Sequence, residues 1–380
     1  MRLFIEPGEP LLFRTGRPFD AGQNNFAESM FPPTPETLQG AVRATIASYW
    51  DPKKNIAAAF DDPKLTTLIG DYNGYGRFRV TGMSLGQYRK DQPETVERLF
   101  IPPAHIRRVD TDHDHLLRLL PKPFEAGAQS NMSKGIQYYP ASEQKNEDDL
   151  KPLEGWLTEA DLYKTLGVHD LTGIKVVRRS DIYQEEPRLG IGIQPGTKAS
   201  QEGFLYQILM IRMNHQMEHS HIYGFVVDIR LASPSADTTY LNDQQTQQEL
   251  HLPDTGWMTI GGEQRTAHFR VVPSASGHNK QSSQARTLLY LATPAVFETG
   301  WRPSPQFAPL DAPLTAAINR YESIGGWKLQ AGSAKGENKT MYRCVPAGSV
   351  YFFDKHVTAK QPLTDSGMEI GYGITFEGEW

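Results

Sequence analysis

Short stretches of β-forming residues recur along the whole chain and are separated by turns and long coil. They lie at residues 2–6, 10–13, 77–83, 222–231, 266–272, 287–292, 349–353 and 372–378. Runs of this length and composition predict strands. The 33 glycines among 380 residues agree with a sheet-rich fold that needs many turns. We therefore expect antiparallel sheets to form much of the structure.

Two segments carry the signals of a helix start. The first begins at Thr34, a capping residue, and has Pro35 at the first helical position, where the missing N–H does no harm. Apolar residues at helical spacing continue it to Tyr49. The second runs from Asp311 to the Gly-Gly pair at 325–326, which would end it. Together with the strands, these helices predict an α+β fold.

The composition excludes several classes of protein. Because Cys344 is the only cysteine, no intrachain disulfide can form. The first residues lack the features of a signal peptide, and no apolar run reaches the roughly 18 residues that predict a membrane span. We expect a cytoplasmic protein without a cofactor. The length predicts two domains, which we place at residues 1–218 and 219–380.

The charge of the chain is concentrated in one segment. The net charge is −5, and residues 141–162 alone hold seven acids against two lysines. The rest of the chain is close to neutral. Any nucleic-acid binding must therefore come from local basic patches and not from a global field. We expect the acidic segment to take no part in such binding and to face either a basic partner or solvent.

A glycine-punctuated run near the C-terminus is the first such patch. It spans residues 325–353, opens with Gly-Gly-Trp and ends in a strand. Between residues 325 and 360 there are six basic side chains, including Lys328 and Lys335, against two acids. Glycines let backbone N–H groups approach a ligand closely, and lysines beside them suit a phosphate backbone. This pattern favours a phosphate-binding loop.

Further basic residues lie beside glycines elsewhere. Arg14 and Arg17 flank a glycine directly after a strand, and Arg178 and Arg179 precede the stretch 188–206. That stretch has basic ends, several glycines and a following apolar run, which predicts a protruding hairpin or loop. Such devices pack on an RNA backbone or wedge between bases. The alternative is that these are ordinary surface loops with solubilising charges.

Catalytic and metal-binding signals are weak. His215, His219 and His221 form one local group, in which the first two would share a helix face as in some zinc sites, but the HExxH pattern is absent. Residues 113–115 (His-Asp-His) form another group, and we interpret both groups as surface residues. No nucleophile elbow or phosphate-binding Walker loop is present. We predict that Cys344 packs in the core and that Glu263 bonds loop N–H groups or Arg265. We predict no catalytic residue and no metal site.

Seven motifs, in this order, resemble a known family. They are EPLLFRTGRPFDAG (9–22), FPPTPETLQGAVR (31–43), RLGIGIQPGTKASQEGFLY (188–206), IGGEQRTAHF (260–269), GGWKL (325–329), VPAGSVYFF (345–353) and GYGITFEGEW (371–380). The chain resembles the third subunit of the type III-B CRISPR RAMP module, which caps the guide RNA at its 5′ end. Residues 50–180 carry none of these motifs.

The resemblance implies two ferredoxin-like (RRM-like) domains with a glycine-rich loop and a protruding hairpin. It implies binding of the repeat-derived 5′ tag of the guide RNA, between a large palm-domain subunit and a backbone subunit. Related RAMP proteins that process precursor RNA use a histidine near the first helix. The helix predicted from Thr34 to Tyr49 has none. The resemblance therefore implies a protein that is not an enzyme.

The resemblance also implies a set of RNA-binding residues. Backbone amides of the Gly-Gly-Trp loop, Lys328 and Lys335 would hold tag phosphates, and 188–206 would form a thumb-like hairpin over the junction of tag and guide. The complete set is Arg14, Arg17, Arg43, Arg178, Arg179, Arg188, Lys198, Arg265, Gly325, Gly326, Trp327, Lys328, Lys335 and Ser349.

Two alternatives remain open at this stage. One is a metal-independent endoribonuclease that matures precursor guide RNA with His105, His215 or His268 as general base. The other is a protein-interaction module that binds no RNA and assembles through apolar surface.

Overall fold

The structure is a computed structural model. It describes the whole chain except residues 15–25, 72, 111–114, 126–135, 143–149, 195, 198, 215–219, 235, 262, 275–285, 305–312, 330–335 and 358–360. For residues 200–204, 236–238, 327–329 and 336–338 it describes the backbone alone.

Six helices and twenty-five strands are formed by the described residues. The helices are α1 Pro35–Trp50, α2 Ile56–Ala59, α3 Pro63–Ile69, α4 Glu159–Leu166, α5 Arg179–Ile182 and α6 Asp243–Glu249, with a 3-10 turn at Met368–Ile370. The strands are β1 Arg2–Pro7, β2 Phe26–Glu28, β3 Phe78–Arg89, β4 Gln92–Phe100, β5 Ile106–Val109, β6 Leu116–Arg118, β7 Leu120–Pro123, β8 Tyr138–Ala141, β9 Leu150–Pro152, β10 Trp156–Thr158, β11 Val176–Val177, β12 Tyr183–Ile193, β13 Ser200–Met213, β14 His221–Ser233, β15 Ala236–Tyr240, β16 Thr255–Ile260, β17 Arg265–Val272, β18 Thr287–Leu291, β19 Thr315–Ala317, β20 Glu322–Ile324, β21 Trp327–Leu329, β22 Gly336–Asn338, β23 Tyr342–Cys344, β24 Val350–Phe352 and β25 Thr375–Glu379. The fold is α+β, and its strand pairs are mostly antiparallel.

The chain divides into two compact units, each built from three segments. The first unit contains Met1–Val96, Ser180–Ser274 and Ser323–Tyr342, and the second contains Glu97–Arg179, Ala275–Glu322 and Arg343–Trp380. These units do not follow the division at residue 218 that the sequence suggested. The physical reason is that β1 forms ladder hydrogen bonds along both edges with β14 and β17, so strands before and after residue 218 share one sheet.

The sheet of the first unit has the strand order β3-β14-β1-β17-β16, and all of these neighbours are antiparallel. In the chain, helix α1 lies between β1 and β3, and α6 lies between β14 and β16. One sheet face carries Ile5, Phe225 and Phe269, all fully buried. Helix α1 covers this face, where the Tyr49 and Phe269 rings meet edge to face at 5.8 Å.

Helix α1 forms for local reasons. The Thr34 hydroxyl accepts a hydrogen bond from the Thr37 N–H, and Pro35 occupies the first turn. Leu38, Val42 and Ile46 recur at helical spacing and are fully buried. An N-cap of this kind typically contributes about 1 kcal/mol, and burial of the apolar face adds more. The prediction of a helix from Thr34 is confirmed.

The second unit contains a four-stranded antiparallel sheet with the order β19-β24-β18-β25. Its buried cores contain mainly leucine, valine and aromatic side chains. The fully buried Tyr290 donates a hydrogen bond from its hydroxyl to the Ile101 carbonyl at 2.7 Å, so its polar atom is satisfied inside the core. Burial raises the pKa of Tyr290 well above its ordinary value, and the side chain stays neutral.

The second predicted helix is wrong. Residues 305–312, including Asp311, lie outside the described residues, and Thr315–Ala317 forms β19. In this strand Thr315 and Ala317 are buried on one face while Ala316 is not, because the segment pairs with β24. The Gly-Gly pair therefore ends no helix and lies between β20 and β21. The long-range pairing overrode a weak helical pattern.

Most strand predictions are confirmed, with one correction. The segment 10–13 forms only an isolated bridge, in which Leu11 pairs with Ile211. The polar segment 233–256 contains β15 and α6, and Asn242 forms a full capping box with Gln245 at the start of α6. Cys344 is buried, as predicted. Among the described residues, no helix is long and apolar enough to cross a membrane.

Candidate nucleic-acid interface

The segment 188–206 belongs to a long antiparallel hairpin, as predicted. Strands β12 and β13 pair from Tyr183↔Met213 to Ile193↔Ser200, with a bulge near the tip. Beyond the last pair, the Gln194 N–H donates to the Ala199 carbonyl and closes the turn. The other edge of β13 pairs in parallel with β2. The hairpin is thus held at its base while its tip extends.

One face of this hairpin is aliphatic and open to solvent. Leu189, Ile191 and Ile193 alternate along β12 and are 75%, 52% and 57% exposed, and Leu205, which lies opposite Ile191, is 56% exposed. Phe26, which lies beside Gln207 on β2, extends the same face. A contiguous exposed apolar face of this kind is typical of a contact surface.

The opposite face of the hairpin carries charges. Glu186 accepts hydrogen bonds from Arg188 and, across the strands, from Arg212. These two guanidinium groups, Arg212 first and then Arg188, hold the pKa of the Glu186 carboxyl below its usual range. One carboxylate stands between two arginines, so the trio keeps a net positive charge. Tyr206 lies on this face as well, with its ring directly over Gly190, where a Cβ would be 2.1 Å from the ring.

Arg14 and Arg43 lie in different surroundings. Arg14 is exposed and forms an isolated bridge with Ser29, while Arg17 lies outside the described residues. Arg43 donates from Nη2 to the Asp71 carbonyl at 2.7 Å, and its guanidinium carbon lies 5.2 Å from the centre of the Tyr75 ring. Burial lowers the pKa of Arg43. In this structure Arg43 supports the loop that follows α3.

The Gly-Gly-Trp segment turns between short strands. Gly325 and Gly326 lie between β20 and β21, and β21 pairs with β22. The Gly326 carbonyl accepts a hydrogen bond from the Lys339 N–H at 2.9 Å. The side chains of Trp327 and Lys328, and all of Lys335 and Lys198, lie outside what the structure describes. Their proposed contacts with RNA stay predictions.

The remaining predicted residues lie outside the two hairpin strands. Arg178 and Arg179 are exposed near the start of α5. Arg265 lies 3.4 Å from Glu263, so the predicted pairing of these two side chains is confirmed. Ser349 is fully buried and donates its hydroxyl hydrogen to the Pro346 carbonyl at 2.7 Å, which gives it a structural role instead of a surface one.

The candidate general bases differ in accessibility. His105 is fully buried, and burial, with Arg118 nearby, lowers its pKa to about 3. A neutral, enclosed imidazole cannot reach an external substrate. His268 is partly exposed and its Nε2 lies 3.2 Å from the Thr255 hydroxyl, while His215 lies outside the described residues. No group of three metal-ligating side chains comes together in the described part of the chain.

The structure adds one feature that the sequence analysis missed. A cavity of about 540 Å³ in the first unit is lined by Glu6, Glu9, Gln184, Arg212, Trp257 and His268, among others. Trp257 is 63% exposed, although alternation in β16 buries its neighbours Met258 and Ile260. The sequence carries one signal for this cavity, because Trp257 lies on the polar face of the alternating strand β16. The N-terminal loop that lines the same cavity is far from Trp257 in the chain.

Comparison with known protein families gives a match over nearly the whole chain. A family model described as CRISPR-associated protein (Cas_Cmr3) matches residues 3–380. No curated protein matches this chain in sequence.

Solved structures give distant matches. A chain in a cryo-EM structure of the type III-B Cmr-beta complex bound to cognate target RNA and AMPPnP is 16% identical over 93% of this chain and 86% of its own, with a TM-score of 0.47. A chain in the corresponding structure with cognate target RNA has the same identity and coverage and a TM-score of 0.40.

The family match defines the class of protein as CRISPR-associated. The chain belongs to the Cas_Cmr3 family, and it is a RAMP subunit of a type III-B CRISPR effector complex.

Proposed function

We propose that this chain is a non-catalytic RNA-binding subunit that holds the repeat-derived 5′ tag of the guide RNA in the cytoplasm. In the complex it bridges the large palm-domain subunit and the backbone subunit. The family match across residues 3–380 supports its place in the complex. The observation that carries the RNA-binding part is the hairpin β12–β13, which is firmly paired at its base and has an exposed aliphatic face and, on its opposite face, a positively charged group of side chains.

The chemistry of the hairpin suits single-stranded RNA. Exposed aliphatic side chains such as Leu189 and Ile191 can pack against splayed bases, while Arg188 on the opposite face suits the backbone phosphates. The Gly-Gly-Trp turn and the lysines after it would hold further phosphates through backbone amides and charge.

We further propose that both units are ferredoxin-like. The support is the strand order, because in the first unit β1, β3, β14 and β17 take the order second-third-first-fourth. In the second unit β18, β19, β24 and β25 take the same order. The two units differ in the segment between the first and second of these strands. In the first unit this segment contains helix α1, and in the second unit its described residues form no helix.

The non-catalytic part of the proposal is supported by the histidines. His105 is enclosed and held neutral, and helix α1 contains no histidine. Incubation of the purified complex with precursor guide RNA tests this point. Defined cleavage that one histidine substitution abolishes would show an endoribonuclease instead.

The test of RNA binding is to isolate the complex from its native host through this subunit and to sequence the 5′ ends of bound small RNA. A shared short 5′ tag followed by diverse guide sequence is the expected result. Two results together would favour a protein-interaction module: the bound RNA is random or absent, and the complex stays assembled after nuclease treatment.

A further inference from the structure

The cavity next to Trp257 has a stacking surface held in a fixed position. The Trp257 backbone is tied to helix α1, because its N–H donates to the Tyr49 hydroxyl oxygen at 3.1 Å. Across the ladder Trp257 stands opposite His268, and the two ring centroids are 5.3 Å apart at an angle of 71°. The backbone of Trp257 and one edge of its ring are therefore held by neighbours, while the residue remains 63% exposed.

The row of side chains beside the indole is polar. His268 pairs on its other side with Glu6, so Trp257, His268 and Glu6 form one row across three adjacent strands. Glu6 accepts a hydrogen bond from the Tyr88 hydroxyl at 3.1 Å, and Glu9 accepts one from the Thr266 N–H at 2.9 Å. Burial and the neighbouring Glu6 raise the pKa of Tyr88 to about 12, so this hydroxyl donates at neutral pH.

The charge of the lining discriminates between ligands. Glu6 and Glu9 face the cavity with Arg212 as the lining arginine, and Arg212 is already bonded to Glu186. Two carboxylates disfavour a phosphate group in the cavity but accept the N–H groups on the edge of a nucleobase. Gln184, which is exposed in the lining, offers both a donor and an acceptor. The volume of about 540 Å³ lies in the range of small-molecule sites.

We propose that this cavity takes one unstacked base of bound single-stranded RNA, which stacks on Trp257 and presents its N–H edge to Glu9 and Gln184. Every base has a π-face, so stacking supplies affinity while the carboxylate selects for a base with an N–H edge. The proposal rests on the RNA-binding function proposed above and adds to it a recognition site at the base of the hairpin, distinct from the hairpin's aliphatic face and from the glycine-rich turn.

The test is the Trp257→Ala variant in the complete complex, assayed for binding of tagged guide RNA over a salt series. We expect affinity to fall about 5- to 150-fold, which is the range of one lost base-stacking contact. The dependence of affinity on salt stays unchanged because no phosphate contact is lost. Trp257→Phe keeps a ring and restores part of the affinity.

The matched control is Tyr240→Ala, which removes another exposed aromatic side chain (40% exposed) from the first unit. Equal affinities of the Trp257→Ala and Tyr240→Ala variants, with tight binding by the wild type, would overturn the base-site proposal alone. No binding by the wild type would overturn the RNA-binding function as well. Thermal unfolding of both variants shows that each is folded.

Photocrosslinking with 4-thiouridine placed at each position of the tag gives a second readout. We expect one position to crosslink to the peptide that contains Trp257. Crosslinks confined to other peptides at every position would contradict the proposal.

Discussion

Tyr49 and Trp257, 208 residues apart in the chain, exchange two hydrogen bonds. The Trp257 N–H donates to the Tyr49 hydroxyl oxygen at 3.1 Å, and the Tyr49 hydroxyl donates to the Trp257 carbonyl at 3.4 Å. One phenol therefore satisfies both backbone groups on the outward edge of a sheet-terminal strand, where no further strand pairs among the described residues. It also joins helix α1 to the strand that carries the exposed indole.

The Tyr49→Phe variant removes both hydrogen bonds and keeps the ring packed on Phe269. We expect it to lower the free energy of unfolding by about 1 kcal/mol, because the two bonds are partly solvent-exposed. Chemical denaturation measures this value. Tyr321→Phe is the control, since Tyr321 is exposed and forms no described hydrogen bond through its hydroxyl. A loss as large in the control would show a nonspecific effect.

Two glycines in the first unit predict opposite effects of the same substitution. At Gly224 a Cβ would lie 2.3 Å from the Ile5 carbonyl oxygen, whereas at Gly40, inside helix α1, it would meet nothing within 4 Å. We expect Gly224→Ala to destabilise the protein by about 1–3 kcal/mol through overpacking. Gly40→Ala should stabilise it by about 0.5–1 kcal/mol because alanine is the better helix former. Thermal unfolding of the pair tests both signs, and the same sign in both would contradict the packing described here.

A partly buried ion pair lies in the second unit. Arg98 and Glu159 are only 13% and 15% exposed and form two hydrogen bonds, and the guanidinium carbon lies 5.2 Å from the centre of the Phe100 ring. We expect Glu159→Gln to cost about 2–4 kcal/mol, because it leaves a poorly solvated arginine without its carboxylate. The exposed pair Arg89–Asp91, 57% and 60% exposed, is the control. Asp91→Asn should change stability by less than about 1 kcal/mol.

His105 predicts a stability that falls in acid. Its pKa is about 3 in the folded state, against an ordinary value of 6.5 that the unfolded chain keeps. Below pH 6.5 the unfolded chain therefore binds a proton that the folded protein does not. The free energy of unfolding is independent of His105 above that pH and decreases as the pH falls from 6.5 towards 3. Between about pH 7.5 and pH 5 the loss from this group is about 2 kcal/mol.

Denaturation at several pH values, compared between wild type and His105→Phe, measures this contribution. The variant should show a shallower pH dependence, whatever its stability at neutral pH. His169→Asn, a change at an exposed histidine of the same unit, serves as the control. An identical slope in wild type and His105→Phe would contradict the buried, neutral imidazole.

The basic loops predict the salt dependence of RNA binding. Replacing Arg17, Lys328 and Lys335 together by alanine should weaken binding and reduce the slope of log affinity against log salt by up to about 2, for three lost phosphate contacts. The control replaces Lys53, Lys64 and Lys122, which carry the same total charge and are themselves exposed. Unchanged affinity in the first variant would remove these three residues from the RNA site, while an equal loss in both would indicate a nonspecific charge effect.

Local signals in the sequence were sufficient for helix α1 and for a protruding hairpin or loop at residues 188–206. Thr34 and Pro35 act within one turn, and the basic ends, glycines and apolar run of the second segment are close together in the chain, so neither signal depends on distant residues. The predicted pairing of Glu263 with Arg265 is equally local. The order of motifs along the chain was sufficient for the family.

Only the tertiary structure decided the features that depend on long-range pairing. Thr315–Ala317 is a strand because β24 lies beside it, and Ser349 is enclosed because the core closes over it. The units are discontinuous because β1 pairs with strands that lie far along the chain, β14 and β17. The cavity at Trp257 depends on the same pairing, which sets Glu6 in one row with His268. The amino-acid sequence by itself determined the capped helix and most of the strands, since their signals lie in neighbouring residues, and the order of its motifs determined the family. The ladders between distant strands decided which side chains meet.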